Sequence, residues 1–70
     1  MNKKKQDEIA NMVADKVEEL LKKDNILYFR EGTVFTTTDT NLILNYQFEA
    51  TKELVNTKKI TVEDFKKAYQ

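Results

Sequence analysis

The chain contains no cysteine, no histidine and no serine, and it has one glycine and one arginine. Each absence removes a kind of chemistry. Without Cys there are no disulfides and no thiolate metal ligands. Without His there is no imidazole zinc site, and no triad that uses either residue. A metal would have to rest on carboxylates and carbonyls alone, and no D-x-D-x-D-G-like loop occurs. Threonine would be the only alcohol left for a hydroxyl nucleophile. There is no glycine-rich phosphate loop and no G-x-S-x-G elbow. The acid pairs Glu18-Glu19 and Glu63-Asp64 read as a solvated helix face and a helix start. A protein that is not an enzyme, with no cofactor and no metal, is the expectation.

An excess of either charge is also missing, with 12 basic residues against 12 acidic ones. Such a chain lacks the overall cationic field of a non-specific nucleic-acid binder. No apolar run is long enough to span a membrane. The opening stretch MNKKKQDEIANMV is basic, but Asp7 and Glu8 interrupt it before an apolar block forms, unlike a signal peptide. A cytoplasmic location and no membrane partner are therefore expected. Seventy residues make a single small domain, 1–70, whose core leaves only roughly 3–5 kcal/mol of net stability. With disulfides and the usual zinc ligands excluded, self-association is the remaining stabilising device. The expected state is a homo-oligomer, most simply a dimer.

What is present divides into four elements of an α+β fold. Residues 1–5 read as a disordered tail. From Gln6 to Lys23, Ile9, Met12, Val13, Val17, Leu20 and Leu21 fall on one face of an amphipathic helix. Acids open that helix and Lys22-Lys23 close it, in keeping with the macrodipole. Asp24-Asn25 stops it, since Asn tolerates the left-handed conformation. Ile26–Arg30 and Thr33–Thr37 are rich in β-branched and aromatic residues and flank Glu31-Gly32, which predicts a short β-hairpin. Alternation puts Tyr28 and Phe29 on opposite faces of it, so one of them is expected to face a partner.

The next segment, TDTNLILNYQFEATKELVNTKK, carries two patterns. LNYQF alternates like a strand. Read as a helix, Leu42, Ile43, Tyr46, Ala50 and Leu54 form one stripe, and Leu44, Phe48 and Val55 form a second beside it. The helix is the favoured reading, with Thr38, Asp39 or Thr40 as cap. Its two apolar stripes predict burial on two sides, against the first helix and against a partner subunit. A short last helix follows. Thr61 is its N-cap, Asp64 stands at capping-box spacing, and Val62, Phe65, Ala68 and Tyr69 form its apolar face.

The run NYQFEATKELVNTKKITVEDFKKAY resembles the SHOCT family, the short C-terminal domain. The resemblance is carried by Leu54 and Val55, then Ile60, Thr61, Glu63, Asp64 and Phe65, and Tyr46-Gln47 is similar to the start of the family's long arm. Lys58 and Lys59 stand where the family usually has a turn glycine. The resemblance implies a helical hairpin over 41–70, in which Ile60 packs back on the first arm and Phe65 closes the hairpin. It also implies an interaction or oligomerisation module, an accessory of a phage or other mobile element, with a larger host or phage protein as a further partner.

The functional expectation is thus a protein–protein interaction module that dimerises through the apolar faces of its first and central helices. Leu42, Tyr46, Phe48, Leu54, Ile60 and Phe65 are its packing or interface residues. The alternative is a small excisionase-like DNA-binding regulator. Thr38–Leu44 would be its first helix, Asn45-Tyr46 the turn and Phe48–Thr57 the recognition helix. Lys52, Lys58 and Lys59 would be its phosphate contacts. That recognition helix offers Glu49, Lys52 and Glu53 but no Arg, the commonest reader of guanine, and nucleic-acid binding is the less favoured reading.

Overall fold

A computed structural model describes residues 2–68. Met1 of the expected tail, the side chain of Ala68 and Tyr69 of the expected last apolar face lie outside the described residues. The order is helix Lys3–Lys23 (α1), strand Phe29–Glu31 (β1), strand Val34–Thr36 (β2), helix Thr40–Asn56 (α2) and helix Val62–Ala68 (α3). This is the expected α+β order of one helix, an antiparallel hairpin and two further helices.

The first helix begins three residues earlier than its apolar stripe implies. The Asn2 side chain accepts a hydrogen bond from the Lys5 amide at 2.8 Å, which caps the helix there. Residues 3–5, expected as a tail, are therefore helical. The first turn is basic, contrary to the expected acidic start, and opposes the macrodipole. At the other end the chain leaves through a Schellman turn. Asn25 adopts φ +57°, its amide bonds to the Lys22 carbonyl at 3.1 Å, and the Ile26 amide bonds to the Leu21 carbonyl at 2.9 Å.

That cap also shortens the hairpin. Ile26 spends its amide on the helix and packs its side chain against the core, so the first strand starts at Phe29 rather than Ile26. The pairing is Phe29↔Thr36, Arg30↔Phe35 and Glu31↔Val34. The loop is therefore Gly32-Thr33, one residue on from the expected Glu31-Gly32. Gly32 takes φ +61° and Thr33 does not share the positive φ, the pattern of a type II′ hairpin with glycine first. The second strand ends at Thr36. Thr37 turns its hydroxyl to Asp39, donating to the carbonyl at 2.7 Å and accepting from the amide at 3.3 Å.

Asp39 caps α2 by accepting from the Asn41 amide at 2.9 Å. The helix then runs unbroken to Asn56. Residues 42–48 are thus helical, as favoured from the sequence. The turn that a helix-turn-helix layout needs at Asn45-Tyr46 does not form, because α-helical bonding continues through both residues. A second Schellman turn ends α2. Lys58 adopts φ +62°, its amide bonds to the Val55 carbonyl at 3.0 Å, and the Lys59 amide bonds to the Leu54 carbonyl at 2.9 Å. Thr61 and Asp64 then form the expected capping box. The Asp64 amide donates to the Thr61 hydroxyl at 3.0 Å, and the Thr61 amide donates to the Asp64 carboxylate at 3.3 Å.

The core lies between α1 and the inward sides of α2 and the α2–α3 turn. Ile9, Val13, Val17 and Leu21 are fully covered, and Ala50, Leu54 and Ile60 meet them from the other side. No polar side chain is buried among the described residues. The apolar face of α1 is thus consumed within one chain and cannot form the expected dimer contact. The two arms of the C-terminal hairpin are splayed, since the α3 backbone approaches α1 rather than α2. The Gln6 side-chain amide donates to the Lys67 carbonyl at 3.2 Å, tying the start of α1 to the last turn of α3.

Candidate interaction surface

Two polar cross-links join α2 to α1. The Tyr46 hydroxyl donates to the Asp24 carboxylate at the end of α1. Half a helix further on, Lys16 Nζ lies 2.8 Å from Glu53 Oε1 and 3.1 Å from Glu19 Oε2. On the same side of α2, Ile43, Tyr46, Ala50 and Leu54 pack toward the core against α1. The second stripe is turned outward, with Leu44 63% and Phe48 67% exposed. Both clasps move titrations in a consistent direction. The Asp24 carboxylate holds the Tyr46 phenol above its ordinary value, and Glu53, then Glu19, hold the Lys16 ammonium above its own.

Because α3 leaves the Lys58 turn toward α1, it does not cover that outer stripe. An open groove of ≈ 390 Å³ runs between the two helices. Phe48 and Val55 of α2 and Val62 and Phe65 of α3 give it apolar walls, with Lys52 and Lys66 among its lining residues. Thr51 also lines it, with its hydroxyl donating to the Gln47 carbonyl at 2.8 Å. Among the described residues no carboxylate lines the groove. Apolar walls with cationic side chains beside them suit the burial of apolar side chains that carry acids next to them.

A second surface is built by the hairpin. Its inner face is bound to α1. Arg30 reaches Asp15 at 3.0 Å and Glu18 at 3.2 Å, donates to the Gly32 carbonyl at 2.8 Å, and sits 5.5 Å from the Phe35 ring centre. The Tyr28 hydroxyl donates to Glu18 at 2.7 Å, and its ring lies 6.0 Å from that of Phe35. The Tyr28 hydrogen bond holds the Glu18 carboxyl below its ordinary value, and Lys22 and Arg30 act in the same direction. The same bond raises the Tyr28 phenol. With Tyr28, Arg30 and Phe35 turned inward, Phe29, Glu31 and Val34 form the outer face, beside Leu27.

The sequence-derived residues thus separate. Leu54 and Ile60 are core, and Tyr46 is a clasp against α1. Leu42 is half-buried. Phe48 and Phe65 line the groove, and Phe65 also packs against the core. Of the candidate phosphate contacts, Lys52 lines the groove, Lys58 makes the α2–α3 turn, and Lys59 lies by Met12 and Lys16 of α1. Val62 and the hairpin residues Leu27 and Val34 were not singled out as interface. The second stripe of α2 pointed to Val55, but the groove needs the splay of α3, which no spacing reveals.

No protein-family model matches the chain, and no curated protein or solved structure shows a significant match to it. Its class therefore rests on the fold alone, a small, mostly helical α+β protein. Among the described residues no helix is long and apolar enough to cross a membrane.

Proposed function

We propose that the chain is a non-catalytic protein–protein interaction module that self-associates through the α2–α3 groove. The observation that carries this reading is the exposed apolar set Leu44, Phe48 and Val62, which borders that groove. Large apolar side chains grouped on one side of a small protein mark a contact surface. The resemblance of residues 41–70 to the SHOCT hairpin, which implies an interaction or oligomerisation module, points the same way.

Sedimentation velocity from low micromolar to near-millimolar concentration tests the reading. The mean mass is expected to rise with concentration. Phe48→Glu is expected to abolish the rise and leave the helical circular-dichroism signal in place, because Phe48 is outside the core. A chain that stays monomeric throughout overturns the proposal.

A further inference from the structure

We infer that the occupant of the groove is the hairpin of a second copy, docked head to tail. The inference rests on the self-association just proposed and adds its partner surface.

Two unlike apolar patches stand on different elements of one chain. The groove presents Phe48 and Val62 beside the ammonium groups of Lys52 and Lys66, and among the described residues no carboxylate lines it. The outer face of the hairpin presents Phe29, 65% exposed, and Val34, 65% exposed, on either side of the Glu31 carboxylate. It offers no cation, because Arg30 is drawn to the opposite face by Asp15 and Glu18. Each patch therefore has the apolar surface the other needs and the opposite charge.

The steric fit agrees. A two-stranded hairpin is thin, and its Gly32 corner has open space around it. An aromatic anchor such as Phe29 is the kind of side chain that fills a groove of ≈ 390 Å³. The alternative, α2 against α2 of a second copy about a two-fold axis, would bring Lys52 of both copies to one apolar seam and leave Phe29 and Val34 uncovered.

Two different patches make a heterologous contact. Such a contact does not stop at two copies unless the rotation closes a ring, so the wild-type chain is expected to pass beyond dimer mass at high concentration.

Complementary variants test this. Phe29→Glu spoils the hairpin and leaves the groove, and Phe48→Glu does the reverse. Both sites are exposed, and unchanged thermal melts check the fold. Val34→Glu and Val62→Glu form a second, independent pair. By sedimentation velocity each variant alone is expected to be monomeric, and an equimolar mixture is expected to form a dimer that grows no further. A Phe29→Glu chain that associates as well as wild type overturns the inference and leaves the groove-mediated reading standing. So does a mixture that remains monomeric while wild type associates. Failure of wild type to associate at all overturns both.

Discussion

Lys58 occupies a position that backbone geometry reserves for glycine. Its φ of +62° places it in the left-handed region, where an L side chain costs about 1–2 kcal/mol. Asn25 holds the equivalent place after α1 with a residue that tolerates it better. Lys58→Gly is therefore expected to stabilise the chain by about 0.5–1 kcal/mol, after allowing for the greater freedom glycine gives the unfolded state. Urea unfolding measures this, and a lower midpoint would contradict it. Titrating residues make a second prediction. Tyr28, Tyr46 and Lys16 all hold their protons more tightly when folded, since carboxylates accept their hydrogen bonds. Their stabilisation is complete below the ordinary values near pH ~10 and is lost as pH rises through the raised folded values. Glu18 runs the other way. Its contribution is present above the ordinary value of about 4.5 and is lost as pH falls through its lowered folded value. Melting temperature should thus decline at both extremes, and Tyr46→Phe should flatten the alkaline decline.

At the scale of elements, α3 depends on its start. Seven residues cannot sustain a helix alone, so the Thr61–Asp64 box and the contact with α1 carry it. Thr61→Ala is expected to cost about 1 kcal/mol and to loosen α3 before the rest, readable as earlier amide exchange at Phe65 and Lys66. The two faces of α2 should respond oppositely. Leu54→Ala removes a buried side chain and should cost roughly 2–5 kcal/mol, most of the ~3–5 kcal/mol available to a chain this short. Phe48→Ala should leave chemical denaturation nearly unchanged and affect association instead. A large loss of stability from Phe48→Ala would place the outer stripe in the core.

Across the whole molecule, a neutral sequence folds into a polar object. Residues 2–12 and 57–68, brought together where α3 meets the start of α1, hold seven lysines against four carboxylates. Residues 13–56 hold five cations against eight carboxylates. Head-to-tail association sets Lys52 and Lys66 of the groove against Glu31 of the hairpin, so raising salt from about 0.05 to 0.5 M should weaken it measurably. Indifference to salt would mean that apolar contact alone drives it.

Local patterns in the chain fix which segments are helical, because periodicity, caps and breakers act over a few residues. The stripe of α1, the Asn25 stop, the Thr61 box and the favoured helix at 42–48 were all legible in this way. Asn2 was legible in principle as a cap three residues ahead of the Lys5 amide, but the lysines between them hid the start of α1 behind a charge argument. The exclusion of thiol and imidazole chemistry was equally readable from composition. Which apolar stripe each helix keeps inside emerges only from the packing of distant elements. On paper, Leu54 and Phe48 are equally apolar members of adjacent stripes on α2. Packing of Ala50 and Leu54 against the covered face of α1 takes one inward and leaves the other outward, and the Tyr46–Asp24 and Lys16–Glu53 contacts accompany that packing. The Lys58 turn then sends α3 to α1 and leaves the groove open. Both outcomes depend on contacts between residues tens of positions apart, and local spacing carries no record of them.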